Sequence, residues 1–372
     1  MLRRRDQAVA AACVLISLTA VAACSRNAGA PDLPHAPAAL TPRFYAPPGW
    51  TTSTLRLSDG TALRYGVASP TVVPHGHVLI LPDRNEPAEV WFETANDLLA
   101  RGYTVWVLEA ATGKGIGALD PARGALAHMI TDVIRPHDQP LLLAAQGLGA
   151  TIALHTLSEG RSAGVTGAML ASPTLDLAGV DPTGPFGGVQ PEQLAMAAEW
   201  AARLRSGWIA LPGDGQPRLT HVASIGLDPR RAGLAATWRR SDPALKPHRI
   251  TLGWVWGYDQ VIRGARTPRA ATGGPPMVMA ATVGDDLSTR ACAQAPTCTL
   301  WAVPTSAPHL ARDEMRKAWL DKLLALDTRQ RGLATGNKRS LYSALAGLPE
   351  KSPKSPAVEF SSAITIRSAR TR

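Results

Sequence analysis

The hydrophobic positions fall into short, uniformly apolar runs that alternate with longer stretches of helical spacing. A uniformly apolar run of this kind is typical of a strand buried on both faces, and strands that alternate with helices predict a parallel sheet. An alternating stretch around Asp59-Gly60 predicts a β-hairpin ahead of them. Strands are predicted at 77–82, 104–108, 141–144, 167–171, 277–281 and 298–303, and helices at 89–100, 121–133, 148–157 and 313–326. The predicted fold class is α/β, with a mostly parallel, doubly wound sheet.

The alternation is interrupted over residues 175–274. This stretch is rich in tryptophan, proline and glycine and contains one clear helical pattern, at 191–204. We expect a mostly helical insertion that forms a cap over the sheet. The core of the domain would then consist of residues 51–174 and 275–328.

The first residues predict an export signal. Three arginines precede an apolar stretch over residues 8–21, which is shorter than an ordinary membrane span. It ends in Val-Ala-Ala-Cys24, which resembles a bacterial lipobox. Residues 1–23 are therefore expected to be a lipoprotein signal peptide, and Cys24 to be lipidated. The alternative is an ordinary signal peptide with an incidental cysteine.

This reading predicts a lipid-anchored protein of the cell envelope. Because Ser25 is not the aspartate that typically retains lipoproteins at the inner membrane, the periplasmic side of the outer membrane is favoured. The Ala/Pro-rich residues 24–50 are expected to form a linker between the anchor and the domain.

Cysteine content and charge refine this prediction. Cys292 and Cys298 are the two cysteines left beside the lipidated one, and an oxidising compartment favours a disulfide between them over two free thiols. The net charge is +10, and residues 329–372 carry nine lysines and arginines against two glutamates. This tail, which is predicted to be disordered, is expected to contact anionic lipid headgroups, and the compartment makes nucleic acid a poor candidate partner.

The most informative motif is Leu-Leu-Leu-Ala-Ala-Gln-Gly147-Leu-Gly, at residues 141–149. A buried strand that runs through a small-x-Ser-x-Gly turn into a helix is the nucleophile elbow of an α/β-hydrolase. Here Gly147 takes the position of the serine. Glycine adopts the strained backbone of such a turn without a Cβ penalty, so the exchange keeps the turn and leaves the nucleophile position vacant. The alternative is a glycine-rich turn of some other α/β protein.

The order of motifs from Leu55 to Leu326 resembles the lysophospholipase and monoacylglycerol lipase branch of the α/β-hydrolases, also called serine aminopeptidase-like. The resemblance rests on Leu-Pro-Asp-Arg-Asn-Glu at 81–86, on residues 108–115, and on Trp-Arg-Arg-Ser-Asp-Pro at 238–243. It implies a helical cap and no cofactor or metal. It also implies a set of site residues: Asp83, Arg84 and Leu148 on the oxyanion side, His309 as the catalytic histidine, and Asp286, or alternatively Asp285, as the acid that orients it.

Two functions follow from this resemblance. The first is a membrane-anchored hydrolase homologue without a nucleophile, which binds an acyl or lysolipid-like ligand or a protein partner. The second is an active carboxylic ester hydrolase that uses an unrecognised nucleophile, or a water activated by His309 in the space at Gly147.

Overall fold

A computed structural model places most of the domain. It describes residues 40–58, 60–84, 86–110, 120–135, 139–161, 164–177, 189–211, 229–245, 250–266, 274–282, 284–304, 310 and 313–327. The predictions for Cys24, for His309 and for the tail after Thr328 lie outside these residues.

One eight-stranded sheet organises the domain, in the order β1-β2-β4-β3-β5-β6-β7-β8. The first two strands form the predicted hairpin, in which Arg56 pairs with Ala62, and the pairs from β3 to β8 are parallel. The strands are β1 (Thr51–Arg56), β2 (Ala62–Ala68), β3 (Gly76–Leu81), β4 (Tyr103–Leu108), β5 (Leu141–Gln146), β6 (Val165–Ala171), β7 (Met277–Thr282) and β8 (Cys298–Val303). The predicted mostly parallel α/β sheet is confirmed.

Helices connect the parallel strands. They are α1 (Phe92–Leu99), α2 (Asp120–His128), α3 (Leu148–Ser158), α4 (Pro191–Arg203), α5 (Pro229–Ala232), α6 (Leu234–Ser241), α7 (Leu252–Arg266), α8 (Asp286–Gln294) and α9 (316–327). A 3-10 turn at Ala88–Trp91 leads into α1, and a π-helical segment at Met129–Ile134 extends α2. None of the helices that the described residues form has both the length and the apolar composition needed to cross a bilayer.

Alternate residues of the central strands enter two separate cores. Leu79 of β3 packs with α3 on one face of the sheet, whereas Val78 packs with Phe92 of α1 and Trp319 of α9 on the other. Side chains of a strand alternate between the two faces of a sheet, so a strand covered on both faces must be apolar throughout. This is why the sequence shows uniform apolar runs.

The segment between β6 and β7 contributes α4 to α7. Helix α4 packs on α7, and α7 packs on α3, so these two helices of the segment lie on the α3 side of the sheet. A buried ionic cluster attaches α5 to the opposite side. There Glu93 of α1 accepts from Arg231 of α5 at 2.6 Å and also pairs with Arg43 and Arg316. The guanidinium groups lower the pKa of Glu93 although burial opposes this.

A disulfide joins Cys292 near the end of α8 to Cys298 at the start of β8, with their Cα atoms 5.4 Å apart. The structure thus contains the bond that the cysteine count favours over two free thiols. The disulfide closes a short loop next to β8, which is an edge strand of the sheet.

Candidate functional site at the carboxyl ends of the strands

The site lies where three neighbouring strands end. In the parallel ladder Leu81 of β3 is opposite Ala145 of β5, and Gln146 of β5 is opposite Ala171 of β6. The segments that follow these strands therefore meet at one edge of the sheet. This is the edge at which open α/β sheets bind their ligands.

Two glycines shape the turn after β5. Gly147 has φ +55° and ψ −124°, a conformation that a residue with a Cβ adopts only under strain. Its N–H donates to the carbonyl of Ala171 at 3.0 Å, which fixes the turn against β6. A Cβ on Gly149 would lie 2.8 Å from the carbonyl carbon of Leu81 and closer still to two carbonyl oxygens, so only glycine lets α3 approach β3. The backbone thus forms the sharp strand-to-helix turn that the motif predicts.

The space beside Gly147 is filled by the carboxylate of Asp83. A Cβ built on Gly147 would lie 2.7 Å from Asp83 Oδ2 and closer still to Cγ and Oδ1. A real Cβ does not approach another atom so closely, so a side chain at position 147 and the present position of Asp83 exclude each other. The sequence predicts a vacant nucleophile position, with room for a water. The structure corrects the room for a water, because a carboxylate from the neighbouring strand end occupies that space.

Backbone N–H groups hold this carboxylate. Oδ1 of Asp83 accepts from the N–H of Leu148 at 2.7 Å and from the N–H of Arg84 at 2.7 Å. In a nucleophile elbow, the residue after the nucleophile and the loop after β3 each supply one N–H to the oxyanion hole. The three residues predicted on the oxyanion side, Asp83, Arg84 and Leu148, therefore lie together. The carboxylate of Asp83 places its negative charge against the N–H groups of the other two. The N-terminus of α3 also favours an anion there.

Buried polar groups support the Asp83 loop from below. The carboxylate of Glu86 accepts from the N–H of Asp83 at 3.1 Å and from Nε2 of Gln146 at 3.3 Å. Gln146 is fully buried and immediately precedes Gly147, so it ties the end of β5 to the loop after β3. Neither residue is among the predicted site residues. A buried glutamine in an otherwise apolar strand is the signal that could have identified this support.

A second ionic cluster anchors the turn that follows the loop. Arg64 of β2 pairs with Glu109 at 2.6 Å and with Glu89, and the N–H of Ala88 donates to Glu109 at 2.8 Å. Burial raises the pKa of Glu109, and the adjacent Arg64 opposes that shift. The loop that carries Asp83 is therefore fixed on both of its sides.

Helix α7 contributes to the same edge of the sheet. The guanidinium of Arg84 lies 5.4 Å from the ring centroid of Trp254. Burial raises the pKa of Tyr258, and the negative charge of Asp83 adds to the shift. The Tyr258 hydroxyl donates a long hydrogen bond of 3.5 Å to the carbonyl of Thr174, in the segment after β6. A cation, a carboxylate and a neutral phenol thus lie together between this helix and the strand ends.

The structure describes part of the predicted catalytic machinery. Asp285 accepts from the N–H of Ser288 at 3.0 Å and so caps α8, whereas Asp286 is exposed in the first turn of that helix. His309 lies outside the described residues. The pairing of the histidine with either acid therefore stays a prediction.

Two other hydroxyl groups lie near the turn. Thr151 is buried in α3 and donates to the carbonyl of Thr174 at 2.8 Å, so it has a structural contact. Ser172 follows β6 with φ +42° and is buried, and its Oγ has no hydrogen-bond partner within the part of the chain that the structure describes. In the same part of the chain, no three His, Cys, Asp or Glu side chains are grouped closely enough to hold a metal ion.

The architecture was compared with those of known proteins. No protein-family model matches the chain, and no curated protein matches it by sequence. Solved structures do match. A soluble variant of the monoglyceride lipase from Saccharomyces cerevisiae superposes with a TM-score of 0.53 and 16% identity, over 74% of this chain and 94% of that one.

Two further structures give the same result. A thermostable carboxyl esterase from Bacillus coagulans has a TM-score of 0.52 and 13% identity, over 75% of this chain and 98% of that one. The monoacylglycerol lipase of Paleococcus ferrophilus has a TM-score of 0.51 and 14% identity, over 71% of this chain and 98% of that one. At these identities the likeness concerns the fold alone. Together with the strand order and the turn after β5, it shows that the protein has the α/β-hydrolase fold.

Proposed function

We propose that this protein is a membrane-anchored hydrolase homologue that has lost nucleophilic acyl transfer and binds an acyl or lysolipid-like ligand. The observation that carries the proposal is the carboxylate of Asp83, which lies beside Gly147 and accepts from the N–H groups of Leu148 and Arg84. Gly147 supplies no hydroxyl group for attack, and the carboxylate of Asp83 occupies the N–H donors of the oxyanion hole. A protein partner at the same site is the other binding function that these observations allow.

The electrostatic reason is simple. Acyl transfer places a negative charge on the carbonyl oxygen of the substrate, and the hole must stabilise that charge. With Asp83 in place, two negative charges would share the same donors. At a separation of about 4 Å and an effective dielectric constant of about 20, they repel by about 4 kcal/mol. This corresponds to a rate loss of about 10³-fold, in addition to the loss of the nucleophile itself.

The ligand class is inferred from two sources. The superposed structures are named as monoglyceride and monoacylglycerol lipases, which suggests an acyl chain attached to a small polar head. Between α7 and the strand ends the apolar ring of Trp254 lies beside the charged Arg84, and we propose this position as the ligand crevice. A ligand with an apolar chain and a polar head matches this mixture.

The test uses the mature chain with Cys24→Ser, so that lipidation does not interfere. A fluorophosphonate probe should label no serine, and a fluorescent fatty-acid analogue should bind and be displaced by lysophosphatidylcholine or monoolein. Trp254→Ala should weaken this binding, whereas Trp301→Ala, which removes a partly buried tryptophan of β8 whose ring centroid lies 4.9 Å from Nζ of Lys322, serves as the matched control. Labelling of any serine, for instance Ser172, would disprove the loss of nucleophilic chemistry.

Membrane anchoring has its own support and its own test. The lipobox-like Val-Ala-Ala-Cys24 supports lipidation of Cys24 and location in the cell envelope. In the native host, the protein should take up an alkyne analogue of palmitate and remain with the outer-membrane fraction. The Cys24→Ser chain should do neither, and membrane retention of an unlabelled wild-type chain would refute the anchor.

One alternative function is favoured by a specific observation. Because Oδ1 of Asp83 is held by two N–H groups, the carboxylate itself could serve as a nucleophile toward a saturated carbon. Its other oxygen would attack that carbon, the leaving group would depart with the bonding electron pair, and an alkyl ester of Asp83 would form. Water would then add to Cγ, with the negative charge on Oδ1 facing Leu148 and Arg84. Collapse would release the alcohol and a proton and restore the carboxylate.

Isotope labelling separates this alternative from binding alone. After incubation with epoxyalkanes or bromoalkanes in H₂¹⁸O, a carboxylate nucleophile would acquire heavy oxygen in the peptide that contains Asp83. A binding protein would show neither turnover nor incorporation. The Asp83→Asn variant is the matched control for non-enzymatic exchange.

A further inference from the structure

Helix α4 and the segment after it expose an unusual amount of apolar surface. Within the part of the chain that the structure describes, eight large hydrophobic residues are exposed, and five of them lie between positions 196 and 209. Their exposed fractions range from 41% to 70%. We call these five residues the α4 patch: Met196, Trp200, Leu204, Trp208 and Ile209.

The patch follows from the helical geometry. Met196, Trp200 and Leu204 are spaced by four residues, so they lie on one face of the helix. The buried residues of α4, among them Leu194 and Ala198, lie on the face that packs on α7. The helix is therefore apolar on two faces, and the described residues of the domain cover only the face that packs on α7.

The second half of the patch is held firmly. The N–H of Ile209 donates to the carbonyl of Ser206 at 3.1 Å, and the carbonyl of Ile209 accepts from the N–H of Leu252 at 2.9 Å. These bonds tie the segment to the start of α7. Trp208 and Ile209 are thus presented to solvent by an ordered backbone rather than by a frayed helix end.

The composition of the patch suits a lipid interface. Tryptophan is enriched at the boundary between headgroups and acyl chains, where its ring is partly apolar and its N–H stays hydrated. Arg203 lies 5.4 Å from the ring centroid of Trp200, and Arg205 is exposed on the other side of Leu204. Arginine stems cover apolar surface while their guanidinium groups reach phosphate.

The length of the N-terminal linker also favours a bilayer as the occupant. Leu40, where the described structure begins, lies sixteen positions after Cys24. Even a fully extended chain of this length reaches no farther than about 55 Å. A lipid on Cys24 would therefore keep the domain within that distance of a membrane, which raises the effective concentration of lipid at a weak lipid-binding face.

We infer that the α4 patch is a membrane-docking face, which inserts its tryptophans into the headgroup region of a phospholipid bilayer. The part of this inference that concerns the linker rests on the proposed lipidation, but the patch itself does not. Helix α4 packs on α7, and α7 carries Trp254 beside Arg84, so docking would place the proposed ligand site one helix away from the lipid surface from which an acyl ligand would come.

The test measures vesicle binding by the mature chain with Cys24→Ser, which keeps the tail and lacks the anchor. Flotation with vesicles of phosphatidylethanolamine and phosphatidylglycerol is performed in about 0.5 M NaCl, where the Debye length is short and the basic tail contributes little. Trp200→Ser combined with Trp208→Ser should lower the vesicle-bound fraction at least tenfold. The matched control is Val72→Ser with Val73→Ser, which removes residues that are 65% and 87% exposed elsewhere.

Brominated phospholipids provide a second readout. They should quench part of the tryptophan fluorescence of the parent chain, and the double tryptophan variant should lose that quenching. Equal flotation of parent and tryptophan variant, or an equal loss in the valine control, would overturn the inference. So would a dimeric parent that becomes monomeric in the tryptophan variant, because the patch would then be an interface between two copies.

These outcomes are separable from the failure of the proposed function. Fatty-acid binding in vesicle-free solution tests the crevice and does not involve the patch. A chain that binds ligand but not vesicles would disprove the docking face alone, and a chain that binds vesicles but not ligand would disprove the crevice alone.

Discussion

Serine at position 147 provides the sharpest test of how this site is built. Its Cβ would lie 2.7 Å from Oδ2 of Asp83 and closer to Cγ, so the carboxylate must leave. Leaving costs its hydrogen bond to the N–H of Leu148. We therefore expect Gly147→Ser alone to be destabilised and inactive, and Gly147→Ser with Asp83→Gly to be both more stable than the single variant and catalytically competent.

Two contributions determine how much Gly147→Ser destabilises the protein. A non-glycine residue at φ +55° costs about 1–3 kcal/mol. Loss of a hydrogen bond between a carboxylate and a buried N–H adds about 1.5–3 kcal/mol. Gly147→Ser should thus lower the free energy of unfolding by about 3–5 kcal/mol. Asp83→Gly removes the steric conflict, so the double-mutant cycle should show a coupling of about 1–3 kcal/mol in favour of the double variant.

The assay combines urea denaturation with hydrolysis of p-nitrophenyl butyrate and fluorophosphonate labelling. In the double variant the N–H groups of Leu148 and Arg84 can face the substrate oxygen. Because one oxyanion donor is worth about 10²–10³ in kcat, the double variant should exceed Gly147→Ser by at least that factor. The activity also requires His309 near position 147, and His309→Ala in the double variant is the control for that requirement.

Two results would contradict a competition between a side chain at position 147 and the carboxylate of Asp83. A Gly147→Ser variant as stable as the wild type would mean that Asp83 does not occupy the space beside Gly147. Strong additive destabilisation, with no recovery in the double variant, would mean that the two residues do not compete.

Three further predictions concern stability and membrane contact. Glu93→Gln should lower the free energy of unfolding by about 3 kcal/mol at neutral pH, since it leaves buried cations such as Arg231 without their carboxylate. Folding lowers the pKa of Glu93, so its stabilising contribution is present above the ordinary pKa and is lost as the pH falls through the lower pKa of the folded state. Wild type and variant should therefore converge in acid-denaturation curves. Reduction of the disulfide at Cys292, or the double substitution Cys292→Ala with Cys298→Ala, should lower the free energy of unfolding by about 2 kcal/mol in urea titrations, as expected for a short closed loop. No change would mean that the loop is held by other contacts. Truncation after Thr328 should weaken binding to phosphatidylglycerol vesicles at low salt only, and unchanged flotation would leave the tail without a role at the membrane.

The order of strands and helices could be predicted from the sequence because it depends on local patterns. Strand β8 begins and ends where the apolar run predicts, at Cys298 and Val303, and β1 and β2 form the predicted hairpin, with Arg56 opposite Ala62. Gly147 and Gly149 could likewise be assigned to a sharp turn, since the conformational freedom of glycine is a property of the residue itself. These features need no knowledge of what lies beside them in space.

The content of the site was decided by tertiary structure alone. Asp83 and Gly147 are 64 positions apart in the sequence, and only the pairing of β3 with β5 brings them into contact. The sequence shows that a serine is absent, but it does not show that a neighbouring carboxylate takes its space and its hydrogen-bond donors. Whether a missing side chain leaves a cavity or an occupied site depends on long-range packing, and that is fixed by strand register rather than by any local preference.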